Sequence, residues 1–340
     1  MKHRGSLFML FLIIALVPAF FWGLLKGSVS LGTEEIAGAF RYLLDRRGDR
    51  IAATVLFSIR LPRVLMAMAA GASLGVSGAA FQGLFRNSLA DPYIIGASSG
   101  ASLGAGIAIS LGLSLGLPFS PVPLFAFAGS LLAVILAFVI SRTAGNPPPA
   151  ASLLLAGTSV GVLFSSLLSL VLVIRDRNLY QVYYWLLGSL GGTSWMALRP
   201  LLPVMAAGGI LVFVFSRPLD LLIQGDDIAE SLGVNVNRVR FIIAAGASLS
   251  TAAAVSAAGI VGFAGLVAPH GARLFVGPGH RRLIPAAALG GALILVLADT
   301  LARTLVPPME IPLGIITGLG GAPFFLYLLA RHGRSLGRIS

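Results

Sequence analysis

The chain has no cysteine and only two lysines, and these absences exclude several kinds of chemistry. Without cysteine there is no disulfide, no thiolate metal site and no cysteine nucleophile. A nucleotide-binding P-loop requires Gly-Lys-Ser/Thr, whereas Lys2 and Lys26 are followed by histidine and glycine. The His-Glu-x-x-His metal motif and the Gly-x-Ser-x-Gly nucleophile motif are also missing. We therefore predict no catalytic residue, no metal site and no ATP hydrolysis by this chain.

Charged residues are scarce as well. They make up 11% of the 340 residues, and 57% are hydrophobic, whereas about a quarter of an ordinary soluble domain is charged. The net charge of +12 does not indicate nucleic acid as a partner, because the basic residues stand singly between apolar runs, as membrane-flanking anchors do. The composition predicts an all-α, polytopic protein surrounded by membrane lipid.

Apolar runs long enough for membrane spans recur along the chain, and they predict about ten transmembrane helices in one domain, residues 1–340. The runs lie near residues 7–25, 62–84, 93–115, 121–141, 151–173, 197–215, 240–258, 261–276, 283–304 and 312–331. The first run exceeds the length of a signal-peptide core, so we predict that it is a retained helix.

The positive-inside rule gives the orientation. With the N-terminus inside, thirteen of the 24 basic residues fall on the inner side and eleven on the outer side. Seven of the outer eleven lie in the long segment 26–63, where the rule is weak, which leaves thirteen against four. We therefore predict a multi-pass protein with both termini in the cytoplasm.

Several short motifs occur in a fixed order, and their order carries more information than any one of them. They are Arg60-Leu-Pro-Arg63, Gly71-Ala-Ser-Leu-Gly75, Arg86-Asn-Ser-Leu-Ala-Asp-Pro92, Gly262-Phe-Ala-Gly-Leu-Val-Ala-Pro-His270 and Gly321-Ala-Pro-Phe-Phe325. From about Arg60 to Leu329 the chain resembles the FecCD-type permeases of type II ABC importers, which carry ferric siderophores, haem and vitamin B12. Ser88 is a departure, because the family usually has proline there.

The resemblance implies the type II ABC importer permease fold and a membrane-embedded pair of permeases, with a homodimer as the expected form. It also implies two separate ATPase subunits, which hold ATP and Mg, and a periplasmic or lipid-anchored binding protein. The expected place is the plasma (inner) membrane of a bacterium or archaeon. The expected function is inward transport of a ferric siderophore, with vitamin B12 or haem as alternatives, and the permease chain itself holds no cofactor.

By the same resemblance, Arg60, Arg63 and Arg303 at the predicted outer face receive glutamates of the binding protein. Guanidinium groups suit that task because they grip carboxylates in a two-pronged fork. Two other interpretations stay open. The arginines anchor helix ends at the membrane boundary, or Arg303 pairs with Asp299 four residues earlier on the same helix.

Residues 216–239 form the longest predicted cytoplasmic connection, and the resemblance implies that they carry the coupling helix that contacts the ATPase. The predicted coupling residues are Gln224, Gly225, Asp226, Asp227, Ala229, Glu230, Leu232 and Gly233. Asp227 and Glu230 have capping-box spacing, and Gly233 is a plausible helix terminator. The alternative is a solvated linker, which the apolar residues Leu221, Leu222, Ile228 and Leu232 disfavour.

Asn87 and Leu89 lie between the second and third predicted spans, and the resemblance implies that they form a cytoplasmic gate. A simple structural turn is the alternative, since Asn, Ser and Asp favour turns.

A different class of function, an ion-coupled secondary transporter, requires ionisable groups deep in the membrane. Asp299 is the only deep acidic residue that the predicted topology contains.

Overall fold

The structure, a computed structural model, describes residues 2–113, 120–144 and 150–336, and its regular elements are helices. They are α1 (Lys2–Leu25), α2 (Thr33–Asp45), α3 (Arg50–Ala53), α4 (Leu61–Leu84), α5 (Ala97–Ser110), α6 (Val122–Ser141), α7 (Ala150–Ile174), α8 (Leu179–Leu186), α9 (Trp195–Val214), α10 (Ser216–Gln224), α11 (Asp226–Ser231), α12 (Val236–Ala258), α13 (Ala264–Val276), α14 (His280–Thr304) and α15 (Leu313–Leu336). A π-helical turn, Thr54–Arg60, joins α3 to α4.

Among the described residues, seven helical stretches are long and apolar enough to cross a membrane. They are Arg4–Leu25, Arg50–Leu84, Val122–Ser141, Ala151–Ile174, Trp195–Val214, Val236–Ala258 and His280–Thr304. A shorter apolar stretch occupies Leu313–Tyr327 in α15. These helices establish the predicted all-α, polytopic fold, since apolar helices of such length suit a bilayer core of about 30 Å.

The predicted spans 93–115 and 261–276 are longer than the helices that form there. Helix α5 has 14 residues and α13 has 13, so each is only about 20 Å long. Each follows an irregular segment, and Ile95 and Val261 in those segments are buried. Irregular backbone at membrane depth is tolerated where protein surrounds it, which explains how a short helix replaces a full span.

Glycine contacts hold the central helices together. A Cβ atom on Gly71 of α4 would overlap the carbonyl oxygen of Gly291 in α14, and a Cβ atom on Gly291 would overlap that of Gly71. Helix α4 also contacts α12, where the Ser77 hydroxyl donates to the carbonyl of Ala247 at 2.8 Å. Small residues let membrane helices approach this closely, and α4 is accordingly the most enclosed of the long helices.

Helices α4 and α14 run antiparallel, which defines two ends of the bundle. The first end holds Arg63 near the start of α4 and Arg303 near the end of α14; both contact Asp299. At the second end, the end of α4 meets the start of α14, where Gly83 faces the His280 ring. These are the predicted outer and inner ends, respectively.

Helices α2 and α3 lie in the predicted outer segment between the first two spans, where we had predicted no helix. They pack through a small apolar cluster against the end of α1, and its buried members are Leu24, Ala39, Ala52, Ala53 and Leu56. The Asp49 carboxylate caps α3 by accepting from the backbone N–H groups of Ile51 and Ala52. This cluster covers the first end of the bundle beside Arg60.

Candidate functional site

The predicted coupling segment folds as two short helices, α10 and α11, at the second end of the bundle. Gly225 separates them with a φ of 141°, and Gly233 follows α11 with a φ of 81°, so both glycines hold conformations that other residues rarely adopt. The predicted helix terminator Gly233 is therefore in place. The predicted capping box is wrong, because α11 begins at Asp226 with Gly225 as its N-cap, ahead of Asp227.

One face of this segment is buried and the other is exposed and partly apolar. Leu222 and Ala229 are buried against the bundle. Ile223, Ile228 and Leu232 are 37%, 45% and 61% exposed, and we call these three side chains the apolar patch. Exposed apolar clusters rimmed by polar residues mark interaction surfaces, which disfavours the solvated-linker alternative.

The predicted gate residues lie in a tight turn directly after α4. Arg86 has a φ of 51°, the Asn87 side-chain oxygen accepts from the backbone N–H of Leu89 at 2.9 Å, and Leu89 is exposed. This hydrogen bond is an Asx turn. Asn87 thus stabilises a structural turn, as the alternative interpretation predicted, and this turn leaves the Leu89 side chain exposed at the surface.

Arg86 joins the gate turn to the coupling segment, a contact that the sequence motifs did not predict. Its Nη2 atom forms an ion pair of 2.6 Å with Asp226 and donates to the Leu222 carbonyl at 2.6 Å. The other carboxylate oxygen of Asp226 pairs with Arg240 of α12 at 2.9 Å. One carboxylate thus lies between two guanidinium groups, and the two predicted inner sites form one connected unit.

A second contact fixes α10 to α14. The Asp220 carboxylate accepts from the backbone N–H of His280 at 2.9 Å and lies 2.7 Å from its Nδ1 atom. His280 is almost completely buried. The coupling segment is therefore attached to the turn after α4 through Arg86, to α12 through Arg240 and to α14 through His280. None of Arg240, Asp220 and His280 was predicted as a site residue, because no sequence motif pairs Arg240 with Asp226 or His280 with Asp220.

The three predicted docking arginines lie inside the protein at the first end of the bundle. Arg60, Arg63 and Arg303 are only 4%, 7% and 2% exposed. This placement differs from the docking prediction, which requires the arginines to be accessible to glutamates of a binding protein at the outer face. The physical reason is that each guanidinium has hydrogen-bond acceptors within its own chain, which offset the cost of burying charge.

Arg63 and Arg303 share a network of acidic residues. Arg63 donates to both carboxylate oxygens of Glu310, at 3.0 and 2.9 Å, and forms an ion pair of 2.9 Å with Asp299. Asp299 also pairs with Arg303 at 3.1 Å, as the pairing alternative predicted. Because two guanidinium groups neutralise Asp299, it is a poor candidate for the ion-binding carboxylate of a secondary transporter.

Arg60 and Arg303 also cap the end of α1. Arg60 donates to the carbonyls of Leu25 at 2.6 Å and Val29, and Arg303 donates to those of Gly23 at 2.9 Å and Lys26 at 3.2 Å. The last carbonyls of a helix have no partner within the helix and carry its negative dipole end. Both arginines therefore stabilise the point where α1 leaves the bundle.

Comparison with known proteins agrees with this architecture. The model of the FecCD transport family matches residues 12–331. The cobalamin import system permease protein BtuC of Halobacterium salinarum is 45% identical over 278 residues, which cover 82% of this chain and 74% of that protein. The hemin transport system permease protein HmuU of Yersinia pestis is 40% identical over 338 residues, covering 96% and 95%.

A solved structure gives the same result at the level of the fold. An inward-facing metal-chelate type ABC transporter superposes with a TM-score of 0.84 at 31% identity, covering 95% of this chain and 98% of that one. The range matched by the family model, residues 12–331, spans the gate turn, the coupling segment and the buried arginines. The chain belongs to the FecCD transport family of ABC importer permeases.

Proposed function

We propose that this protein moves a ferric siderophore inward. Separate ATPase subunits bind the apolar patch and drive this transport from there. The observation that supports this most strongly is the ion pair between Arg86 and Asp226, which connects the gate turn to the coupling segment. A force applied to α11 from beneath reaches the turn that carries Leu89 through this contact. The chain needs no catalytic group of its own for such a mechanism.

The apolar patch is the surface that we assign to the ATPase. Ile223, Ile228 and Leu232 are exposed on a segment whose opposite face is fixed to the bundle. A rigidly attached segment transmits a push, whereas a free linker would absorb it. Apolar contact supplies the affinity, and the acids Asp227 and Glu230 are exposed on the same segment.

The substrate is proposed from the relatives. Members of the same family are named for import of cobalamin, hemin, ferric dicitrate and iron(3+)-hydroxamate. All of these ligands are bulky metal chelates, and the iron chelates among them favour a ferric siderophore here. Cobalamin is the second candidate, since the permease named for it is 45% identical to this chain.

Docking of a binding protein at the first end is also part of the proposal. Glu310 is 28% exposed at its side chain, whereas its partner Arg63 is 8% exposed. We propose that a carboxylate of the binding protein displaces Glu310 from Arg63 during docking. An exchange of one carboxylate for another keeps the buried guanidinium paired throughout, which avoids an uncompensated charge.

Reconstitution in proteoliposomes tests the transport function. Vesicles that contain the permease, its ATPase subunits and a binding protein loaded with ferric siderophore should accumulate iron only when ATP is present. Vesicles with the permease alone should accumulate none under a proton or sodium gradient. Gradient-driven uptake by the permease alone would establish the secondary-transporter alternative. The same measurement with cobalamin or hemin in place of the siderophore identifies the substrate as the ligand that accumulates.

Charge placed on the apolar patch tests the coupling surface. The I228E and L232E variants should assemble in the membrane but lose ATP-driven uptake, because a carboxylate is costly to bury in an apolar contact. The matched control is L44E, which places the same charge on an exposed leucine of α2 at the other end. Normal uptake by both patch variants would remove α11 from the proposal.

A further inference from the structure

A groove of about 420 Å³ lies between α6, α9 and α12, away from the contacts described above. Its walls are almost entirely apolar, and several wall residues, such as Ile135, Val139 and Phe241, are more than 40% exposed. The lining residues on α6 are Leu131, Val134, Ile135, Phe138 and Val139, with Leu211 on α9 and Phe241, Ala245, Ser248 and Leu249 on α12.

One cation stands at the mouth of this groove. Arg142 directly follows α6, lines the groove and is exposed. Its guanidinium carbon lies 5.8 Å from the centre of the Phe241 ring, a cation–π contact that fixes its position. Among the residues that the structure describes, no acidic side chain forms a salt bridge with it. The groove thus ends at a guanidinium group that forms no salt bridge within the described part of the chain.

The groove also has the position along the membrane normal that a bound lipid requires. Helix α6 has 20 residues and is therefore about 30 Å long, which is the thickness of the hydrocarbon core. Arg142, at the end of α6, accordingly lies at the level of the head groups, while Leu131 and Leu249 line the groove at the level of the acyl chains. This is the arrangement of a lipid: an apolar tail below a charged head.

We propose that the groove binds an anionic phospholipid, with one acyl chain along the apolar walls and the phosphate on Arg142. A guanidinium binds phosphate oxygens through a planar pair of N–H groups. Basic sites between membrane helices select anionic lipids in this way. A zwitterionic lipid fits the groove equally well but brings its own cation close to Arg142, so the site distinguishes lipids by net charge.

A second copy of the chain suits the groove less well. A two-fold interface places the same surface on both sides, so it would bring a second Arg142 towards the first and leave both guanidinium groups without an acidic partner. The groove is also concave and its lining has no acid. The charge therefore favours a phosphate-bearing lipid over a permease partner on this face.

Lipid retention tests the proposal. The protein is purified from membranes that hold phosphatidylglycerol and phosphatidylcholine in equal amounts, and the bound lipid is counted by native mass spectrometry. Wild-type protein should retain phosphatidylglycerol preferentially. In R142Q the ratio of bound phosphatidylglycerol to bound phosphatidylcholine should fall about fivefold, since one interfacial cation contributes about 1 kcal/mol. R282Q, which removes an exposed arginine at the same end, should keep it. Equal preference in wild type and R142Q would overturn the site.

Two further variants separate the tail from the head. A245F fills the groove and leaves Arg142 in place, so this variant should lose bound phosphatidylglycerol. In wild-type protein, glycerol phosphate, which has no acyl tail, should fail to compete with phosphatidylglycerol. Competition by glycerol phosphate would show a phosphate site without a lipid. An I135C variant, the single thiol in the chain, should not cross-link to a second copy. Efficient cross-linking would assign the face to the permease interface.

Discussion

Arg86 and Asp226 are 140 residues apart in the chain, and their side chains form an ion pair of 2.6 Å. The contact joins the turn after α4 to the first residue of α11. Arg240 donates to both oxygens of the same carboxylate, at 3.1 and 2.9 Å, which fixes the orientation of Asp226. This arrangement connects the gate turn directly to the coupling segment through side-chain contacts.

The energy of this ion pair is modest, and its role is therefore geometric. The two side chains are 45% and 39% exposed, and exposed ion pairs contribute only about 0–1 kcal/mol to stability. The R86A variant should therefore fold and assemble. Its defect should appear in transport, which makes Arg86 a suitable residue for separating coupling from folding.

Replacing Arg60 distinguishes its capping role from the docking role. R60A removes the donor for the carbonyls of Leu25 and Val29, so amide hydrogen exchange in the last turn of α1 should become about tenfold faster, as loss of a charged hydrogen bond implies. R41A, at an exposed position of α2, serves as the control. If R60A weakens binding-protein affinity and leaves the exchange rates unchanged, Arg60 is a docking residue and no cap.

Arg63 should be the arginine whose loss most destabilises the fold. R63A leaves Asp299 and Glu310 without the guanidinium that both contact, and the expected cost is about 3 kcal/mol, near the lower limit for breaking a buried pair. R63K keeps the charge but loses the fork, so its stability should be intermediate. Denaturation of the purified variants in detergent measures both. Equal stability of R63A and wild type would contradict the buried network.

Two neighbouring glycines of α9 offer a matched test of helix packing. A Cβ atom at Gly208 would lie 2.5 Å from the Gly246 carbonyl oxygen and 2.6 Å from the Ser250 hydroxyl oxygen, whereas one at Gly209 meets nothing within 4 Å. G208A should therefore lose about 1–3 kcal/mol through overpacking, and G209A should gain up to about 1 kcal/mol of helix propensity. Thermal denaturation checks the opposite signs; a similar loss in both would reject the α9–α12 contact.

Much of the fold follows from local sequence. The apolar runs predict the long helices because a bilayer requires such lengths, and Gly233 predicts the end of α11 through its positive φ. The lengths of α5 and α13 do not follow, since hydropathy does not distinguish a helix from buried irregular backbone such as that at Ile95. Helices α2 and α3 were missed because they lie outside the apolar runs from which the spans were predicted, although α3 begins the long helical stretch Arg50–Leu84.

The candidate site was predictable only in part, and long-range contacts explain the rest. Asp226, Asn87 and Leu89 were recognised from motifs, but the Arg86–Asp226 contact depends on how α4 and α11 meet in space. The burial of Arg63 depends on Asp299 and Glu310, which lie 236 and 247 residues away. A sequence motif gives the residue type at a position and does not give its partner.

The number of ATP molecules hydrolysed per ligand imported, measured in proteoliposomes with the ATPase subunits and the binding protein, tests coupling through Arg86 most directly. R86A should keep ATP hydrolysis while uptake falls, so the ratio should rise about tenfold or more over that of wild type and of the R282A control. Because R86A should keep the fold, this result would locate the defect in the link between α11 and the gate turn. A ratio equal to that of wild type would contradict the account.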